Sequence, residues 1–216
     1  MLAKEETAEL NIQIHRNIFD SRGRQLLITP EFIQLEFKPG SDTFIVFNKN
    51  EIAEFRYGIN WISGYAFNIG REYVFFASNS SNEVLKINFK SIYGIKKKEY
   101  DKLWQQILTK VCEFYFAEMA DDLIKEFFKG KDINIGRAAI TKKGINVDEG
   151  GLFKNSKKEF AWEGLKIKNY YTYVAIYSSG DASRHNARFS YLNDWNTWVL
   201  INVVKTILKH KNASLN

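Results

Sequence analysis

Ile28-Thr29-Pro30-Glu31-Phe32-Ile33-Gln34-Leu35 is answered later in the chain by Ile140-Thr141-Lys142-Lys143-Gly144-Ile145-Asn146-Val147. Both stretches read I-T-x-x-x-I-x-(L/V). Outward from this pair the echoes continue in order. Glu51-Ile52-Ala53 matches Glu159-Phe160-Ala161. Tyr73-Val74-Phe75-Phe76-Ala77-Ser78 matches Tyr173-Val174-Ala175-Ile176-Tyr177-Ser178. An amphipathic segment around Trp104 matches one around Trp198. The offset falls from 112 to 108, 100 and 94 residues, as it would if loops were shorter in a second copy. Weak matches kept in register imply a long-period repeat, and such a repeat decides the fold before any single element does.

Within the first copy, Phe32 to Phe37 alternates with the period of a half-buried strand. Lys38-Pro39-Gly40-Ser41-Asp42 follows as a turn: Pro presets φ and Gly supplies the positive φ of a type II turn. Phe44 to Phe47, Ile52 to Tyr57, Trp61 to Phe67, Tyr73 to Ala77 and Val84 to Phe89 are further strands, divided by Gly58, Gly64 and Gly70 and by the Asn79-Ser80-Ser81-Asn82 tip. The period then changes. Tyr100, Leu103, Trp104, Ile107, Leu108, Val111, Cys112, Tyr115 and Phe116 recur at i, i+3, i+4 and i+7, the mark of an amphipathic helix. It runs on, or breaks near Asp121-Asp122, and stops at Gly130.

The second copy repeats the plan. Its strands are Ile133 to Ile140, Ile145 to Val147, Glu159 to Trp162, Leu165 to Lys168, Tyr171 to Tyr177 and Ala187 to Leu192, with a hairpin tip at Asp148-Glu149-Gly150-Gly151. Asn193 or Asp194 is positioned to cap the closing helix. Trp198, Ile201, Val204, Ile207 and Leu208 form its inward stripe. Each half is thus a run of six or seven antiparallel strands followed by one helix.

Composition narrows the classes. The 216 residues suit one large domain or two of about 100 residues each. Seventeen Phe, eleven Tyr and five Trp exclude a disordered chain. A single cysteine, Cys112, can make no internal disulfide and falls on an apolar helix stripe. The polar start Met1 to Glu9 does not read as a signal peptide, and no stretch approaches the roughly 18 apolar residues of a membrane span. A reducing cytoplasm is the expected compartment. The net charge of +6 is lopsided: residues 1–125 hold 16 basic and 17 acidic side chains, residues 126–216 hold 15 and 8. An anionic partner would prefer the second half.

Strands first, one closing helix with an inward Trp, about 100 residues, and two copies in tandem: this plan resembles the pleckstrin-homology-like (PH-like) superfold. It is most similar to microbial proteins in which two PH-like domains are joined by a helical linker. Phe127-Phe128-Lys129-Gly130-Lys131-Asp132-Ile133-Asn134-Ile135-Gly136, Ala139-Ile140-Thr141-Lys142-Lys143-Gly144-Ile145 and Phe160-Ala161-Trp162 carry the likeness, which covers most of residues 18–210. The resemblance implies an α+β, mainly β fold: two barrels, each closed by a C-terminal amphipathic helix. The expected organisation is a leader over 1–17, domain 1 over 18–118, a helical linker over 119–132, domain 2 over 133–211 and a tail over 212–216. The first copy departs from the pattern, with Pro30-Glu31-Phe32 where the second has Lys142-Lys143-Gly144.

Catalytic signatures are missing from the text. There is no GxxxxGK(S/T) loop and no GxSxG elbow. His15, His185 and His210 are far apart in sequence and lack cysteine partners, so neither a metal nor a cofactor is expected. Asp121 and Asp122 are helix neighbours and point in different directions. The stretch Lys166 to Tyr171 suits strand packing better than base stacking, which disfavours nucleic acid.

The one basic candidate is Lys142 and Lys143, on the turn after the first strand of copy two, with Lys154, Lys157 and Lys158 on the next connection. If both connections rimmed one end of a barrel, their cations could meet phosphates or lipid head groups. The expected function is a non-catalytic binding or scaffolding module that contacts a protein partner through exposed strand edges or an inter-domain groove. Two alternatives stand beside it: peripheral binding of an anionic membrane surface by domain 2, and an enzyme with a site between the domains. The ligand and the oligomeric state stay open.

Overall fold

The computed structural model describes residues 9–17, 19–149, 157–183 and 185–213. Residues 1–8 of the expected leader, the Gly150-Gly151 tip, Lys154 and the end of the tail lie outside the described residues. The fold is α+β and mainly β, with 43% strand and 27% helix among the described residues. It divides into two compact units, one of residues 1–54 and 59–115, the other of Phe55–Gly58 and Phe116–Asn216. Residues 119–132, expected as a linker, count with the second unit.

In the first unit, β1 (Leu10–Ile14), β2 (Arg24–Ile28), β3 (Phe32–Glu36) and β4 (Phe44–Asn48) form an antiparallel sheet in chain order. β1 corrects the expected leader: Leu10 to Ile14 pair with Ile28 to Arg24, and Ile14 is fully buried. β5 (Ile52–Ser63), β6 (Asn68–Asn79) and β7 (Val84–Ile92) form a second sheet. α1 (Lys97–Val111) follows and buries Tyr100, Trp104, Ile107 and Val111, the stripe that the helical period requires. Tyr73 stacks on Phe89 at 5.0 Å, and Trp104 meets Phe89 edge-on at 6.2 Å. These rings fill the space between the second sheet and the helix.

The second unit repeats the order. β8 (Ile133–Ile135), β9 (Ala138–Ile140), β10 (Gly144–Asp148) and β11 (Lys157–Ala161) form a four-stranded sheet. β12 (Leu165–Asn169), β13 (Tyr173–Ser178) and β14 (Asn186–Ser190) form a three-stranded one, and α3 (Thr197–Ala213) closes the unit. A π-helical turn, Cys112–Phe116, follows α1 and leads into α2 (Ala117–Phe128). α2 ends at Gly130, whose φ of +93° needs no side chain. It packs along α3, so α3 is apolar on more than one side. Val199, Leu200, Ile201, Val203, Val204 and Ile207 are buried, whereas Trp198 and Leu208, expected to point inward, are half-buried. Trp198 lies against Phe116 instead, at 5.5 Å.

The I-T-x-x-x-I echo of the sequence is also a structural one. Thr29 and Thr141 each end the second strand of their sheet and each build the same turn. The Thr29 amide donates to the Phe32 carbonyl at 3.0 Å, and its Oγ1 accepts from the Glu31 and Phe32 amides at 3.1 Å. The Thr141 amide donates to the Gly144 carbonyl at 2.8 Å, and its Oγ1 accepts from the Lys143 and Gly144 amides at 3.2 and 3.3 Å. A short hydroxyl that satisfies two turn amides is the physical reason for threonine in both places.

Two connections differ. β1 reaches β2 through a nine-residue loop, residues 15–23, whereas β8 reaches β9 through Gly136-Arg137 alone. The Arg137 side chain then ties this turn to the entry of α3, donating from Nε to Asp194 Oδ1 at 3.0 Å. Asp194 also accepts the Ser190 amide at 2.7 Å. The expected helix cap at Asn193 or Asp194 is therefore corrected: Asp194 is committed to the β14–α3 turn, and the helix begins at Thr197 after Asn196 in the left-handed region.

Candidate functional site

The basic residues of the second unit separate. In an antiparallel meander, successive turns lie at opposite ends of the strand they share. β10 is that strand. Lys142 and Lys143 precede its first residue, Gly144, and Lys157 pairs with its last, Asp148. Five strand residues lie between, a span of about 13 Å at 3.3 Å per residue. The expectation of one shared rim is thereby corrected. Lys142 and Lys143 are exposed, and the Lys142 side chain runs beside Gly130. Lys157 is exposed at the other end. Lys158 is engaged there, donating to the Asn186 carbonyl at 2.8 Å and pairing with Glu149 at 2.8 Å. Lys154 lies outside the described residues.

Two of the histidines and the cysteine that the sequence sets apart are engaged within the fold, whereas His210, Asp121 and Asp122 are exposed. His15 Nδ1 lies 2.7 Å from the Asp20 carbonyl, and His185 Nε2 lies 2.7 Å from the Glu159 carbonyl. Burial pushes the Cys112 thiol up to about 12. Asp101 ties α1 to β6, accepting from Lys97 at 2.7 Å and from the Tyr73 hydroxyl. Partial burial acts to raise its pKa, but those two donors and Arg71 hold the carboxyl below its ordinary value. Glu36 accepts the Gln25 and Ser41 amides at 2.9 and 3.0 Å. Among the described residues no three His, Cys, Asp or Glu side chains gather as a metal site would need. No described helix is long and apolar enough to cross a membrane.

Each four-stranded sheet carries a shallow polar hollow. That of the first unit, about 500 Å³, is lined by Asn11, Gln13, Gln25 and Glu36. That of the second, about 670 Å³, is lined by Asn134, Ala139, Asn146 and Glu159. Neither lining brings a nucleophile beside a base.

The outer strands of these two sheets are another matter. β4 and β11 occupy the same place, each last in its four-stranded sheet. β11 reads Lys-Lys-Glu-Phe-Ala and is guarded by charge. The Glu159 carbonyl is also engaged by His185. β4 reads Phe-Ile-Val-Phe-Asn, with no charge and no proline. Its register shows which groups are free. Phe37 donates to Thr43, and Lys49 donates to Glu31, so the odd-numbered residues of β4 bond to β3. The amides and carbonyls of Phe44 and Val46 therefore face away from the sheet. Their side chains are 37% and 44% exposed. β1 is uncharged too, but Ile14 is buried, Leu10 and Ile12 are half-buried, and the Lys90 amide bonds Arg16 just beyond it.

Sequence reading identified β4 as a strand but missed its edge position. The signal was available in the repeat: charged residues stand at 157–159 and none at 44–48. Comparison of the chain with protein-family models, with curated proteins and with solved structures finds no match in any of the three.

Proposed function

We propose that this chain is a non-catalytic binding module of two PH-like barrels, and that it takes up an extended segment of a partner protein along the free edge of β4. Four strands, then three, then a closing helix in each unit support the PH-like reading. The observation that carries the function is the contrast between matched edges. An unpaired, uncharged, apolar edge strand is a template for another chain, and natural sheets ordinarily blunt it with charge. β11 is blunted and β4 is not. An added strand would gain main-chain hydrogen bonds from Phe44 and Val46, and apolar contact with their side chains.

The test is selection of a phage-displayed library of random peptides on the full chain. Selected peptides are expected to slow hydrogen exchange at the Phe44 and Val46 amides. Val46→Pro removes a donor that β3 does not use, and Val46→Lys adds edge charge. Both are expected to abolish binding with the thermal midpoint little changed. Peptides that protect another surface, or bind both variants normally, would overturn the reading.

A further inference from the structure

The β5–β6 hairpin ends in an aromatic prominence that the β4 edge does not involve. Gly64 donates to the Phe67 carbonyl at 2.8 Å and closes the tip. Tyr65 is fully exposed, Phe67 is 67% exposed and Trp61 47%. Tyr93 and Ile95, on the connection between β7 and α1, are 71% and 46% exposed. Trp61, Phe67, Ile69 and Tyr93 line one hollow of about 290 Å³ together with Arg71 and Lys97. Soluble surfaces expose single apolar side chains freely, but a contiguous group marks an interaction site.

The backbone is bent to keep these side chains outside. Tyr93, Gly94 and Lys96 have φ of 52°, 73° and 56°. Left-handed geometry is strained at the two non-glycine residues. The Tyr93 amide bonds the Ile69 carbonyl at 2.7 Å, which fixes that ring beside the hairpin.

Charge selects the partner. The Arg71 guanidinium sits 4.7 Å over the Trp61 ring. Lys96, Lys97 and Lys98 follow at the start of α1, and Lys102 lies one turn on. Glu99 and Asp101 are the acidic groups among them, paired with Lys96 and with Lys97 and Arg71. Basic groups exceed acidic ones, and Lys98 is exposed. Tyr65 and Phe67 project from the hairpin tip, a shape suited to shallow insertion between head groups. Trp and Tyr combine an apolar body with a polar end and settle at the head-group level of a bilayer, where basic side chains meet anionic lipid.

We propose that the β5–β6 tip, with Trp61, Tyr65, Phe67, Tyr93 and Ile95 bordered by Arg71 and Lys96–Lys98, docks the protein on an anionic lipid bilayer. The tip inserts its rings shallowly between head groups while the lysines stay at the surface. This goes beyond the uptake of a partner strand and uses a separate surface.

The experiment is co-sedimentation of the full chain with phosphatidylcholine vesicles, with and without phosphatidylserine. Binding is expected only with phosphatidylserine and is expected to weaken as salt rises. Tyr65→Ser with Phe67→Ser is expected to lower partitioning at least about tenfold, since burying one such ring is worth about 1.5–3 kcal/mol. Lys96→Glu with Lys98→Glu is expected to lower it further. All four positions are exposed, and an unchanged thermal midpoint verifies folding. Equal binding to both vesicles, normal binding by the tip variant, or loss caused by Lys142→Glu with Lys143→Glu instead would overturn the proposal. So would indifference to vesicles combined with tip-dependent self-association.

Discussion

The indole N–H of Trp162 donates to the main-chain carbonyl of Thr141 at 3.0 Å. In the first unit, the hydroxyl of Tyr115 donates to the carbonyl of Thr29 at 2.6 Å. The same carbonyl of the repeat is thus served twice, once by a residue just past β11 and once by a residue of the π turn after α1. The partnership persists although the donor has changed element. Tyr115 is 3% exposed, so Tyr115→Phe would leave the Thr29 carbonyl short of a donor in a dry setting. A loss of about 1–3 kcal/mol is expected, read from the urea midpoint. Trp162→Phe is expected to cost a similar amount through the second unit.

Gly144 and Gly40 should fail for different reasons. A Cβ at Gly144 would stand 2.0 Å from the Phe160 carbonyl, so β10 and β11 would have to part. Gly144→Ala is expected to cost about 2–3 kcal/mol. At Gly40 nothing lies within 4 Å, but φ is +74° in a turn closed by Ser41 N–H to Lys38 O at 3.0 Å. Gly40→Ala is expected to cost about 1 kcal/mol from backbone strain alone. Thermal melts of the two variants check the order.

Cys112 should be chemically quiet. With its thiol pushed up to about 12 by burial, almost no thiolate exists at neutral pH. Iodoacetamide is expected to label the folded protein far more slowly than the chain in denaturant. Rapid native labelling, read by mass spectrometry, would contradict the packing of the π turn.

Glu126 should titrate low. Hydrogen bonds from Lys129 and Lys131 hold its carboxyl at about 2, against an ordinary 4.5. A depressed carboxyl stabilises the fold above its unfolded value. That contribution is fully present above pH 4.5 and fades as pH falls towards about 2. Carbonyl-carbon NMR of Glu126 should report the shift, and Lys129→Gln with Lys131→Gln should return it towards 4.5.

Much of the architecture was legible because it rests on local rules. The period of α1, the Lys38-Pro39-Gly40 turn and the Gly130 stop all follow from residue chemistry at short range. The paired threonines were legible because a hydroxyl can serve two turn amides only at that spacing. What escaped depends on neighbours in space. β1 looked loose because Leu10-Asn11-Ile12-Gln13-Ile14 gains its meaning only against β2. Lys142 and Lys157 looked close because both are near β10 in sequence, yet strand direction sets them at opposite ends. Phe44 to Phe47 is legible as a strand but not as an edge, because an apolar run carries no mark of whether a further strand lies beside it. Trp61 to Phe67 reads as a strand run with Gly64 as a divider, but that the chain reverses there and exposes Tyr65 shows only once β5 and β6 pair.

The difference between the Gly136-Arg137 turn and the long β1–β2 connection bears on how the molecule assembles itself. Closing nine residues rather than two forfeits about 1 kcal/mol more of chain freedom before any contact forms. The β8–β9 pair can therefore zip in microseconds as an early nucleus, although it is made after the whole first unit during synthesis. The matching β1–β2 pair must wait for a rarer encounter, so refolding from denaturant should register order at β8–β9 ahead of β1–β2.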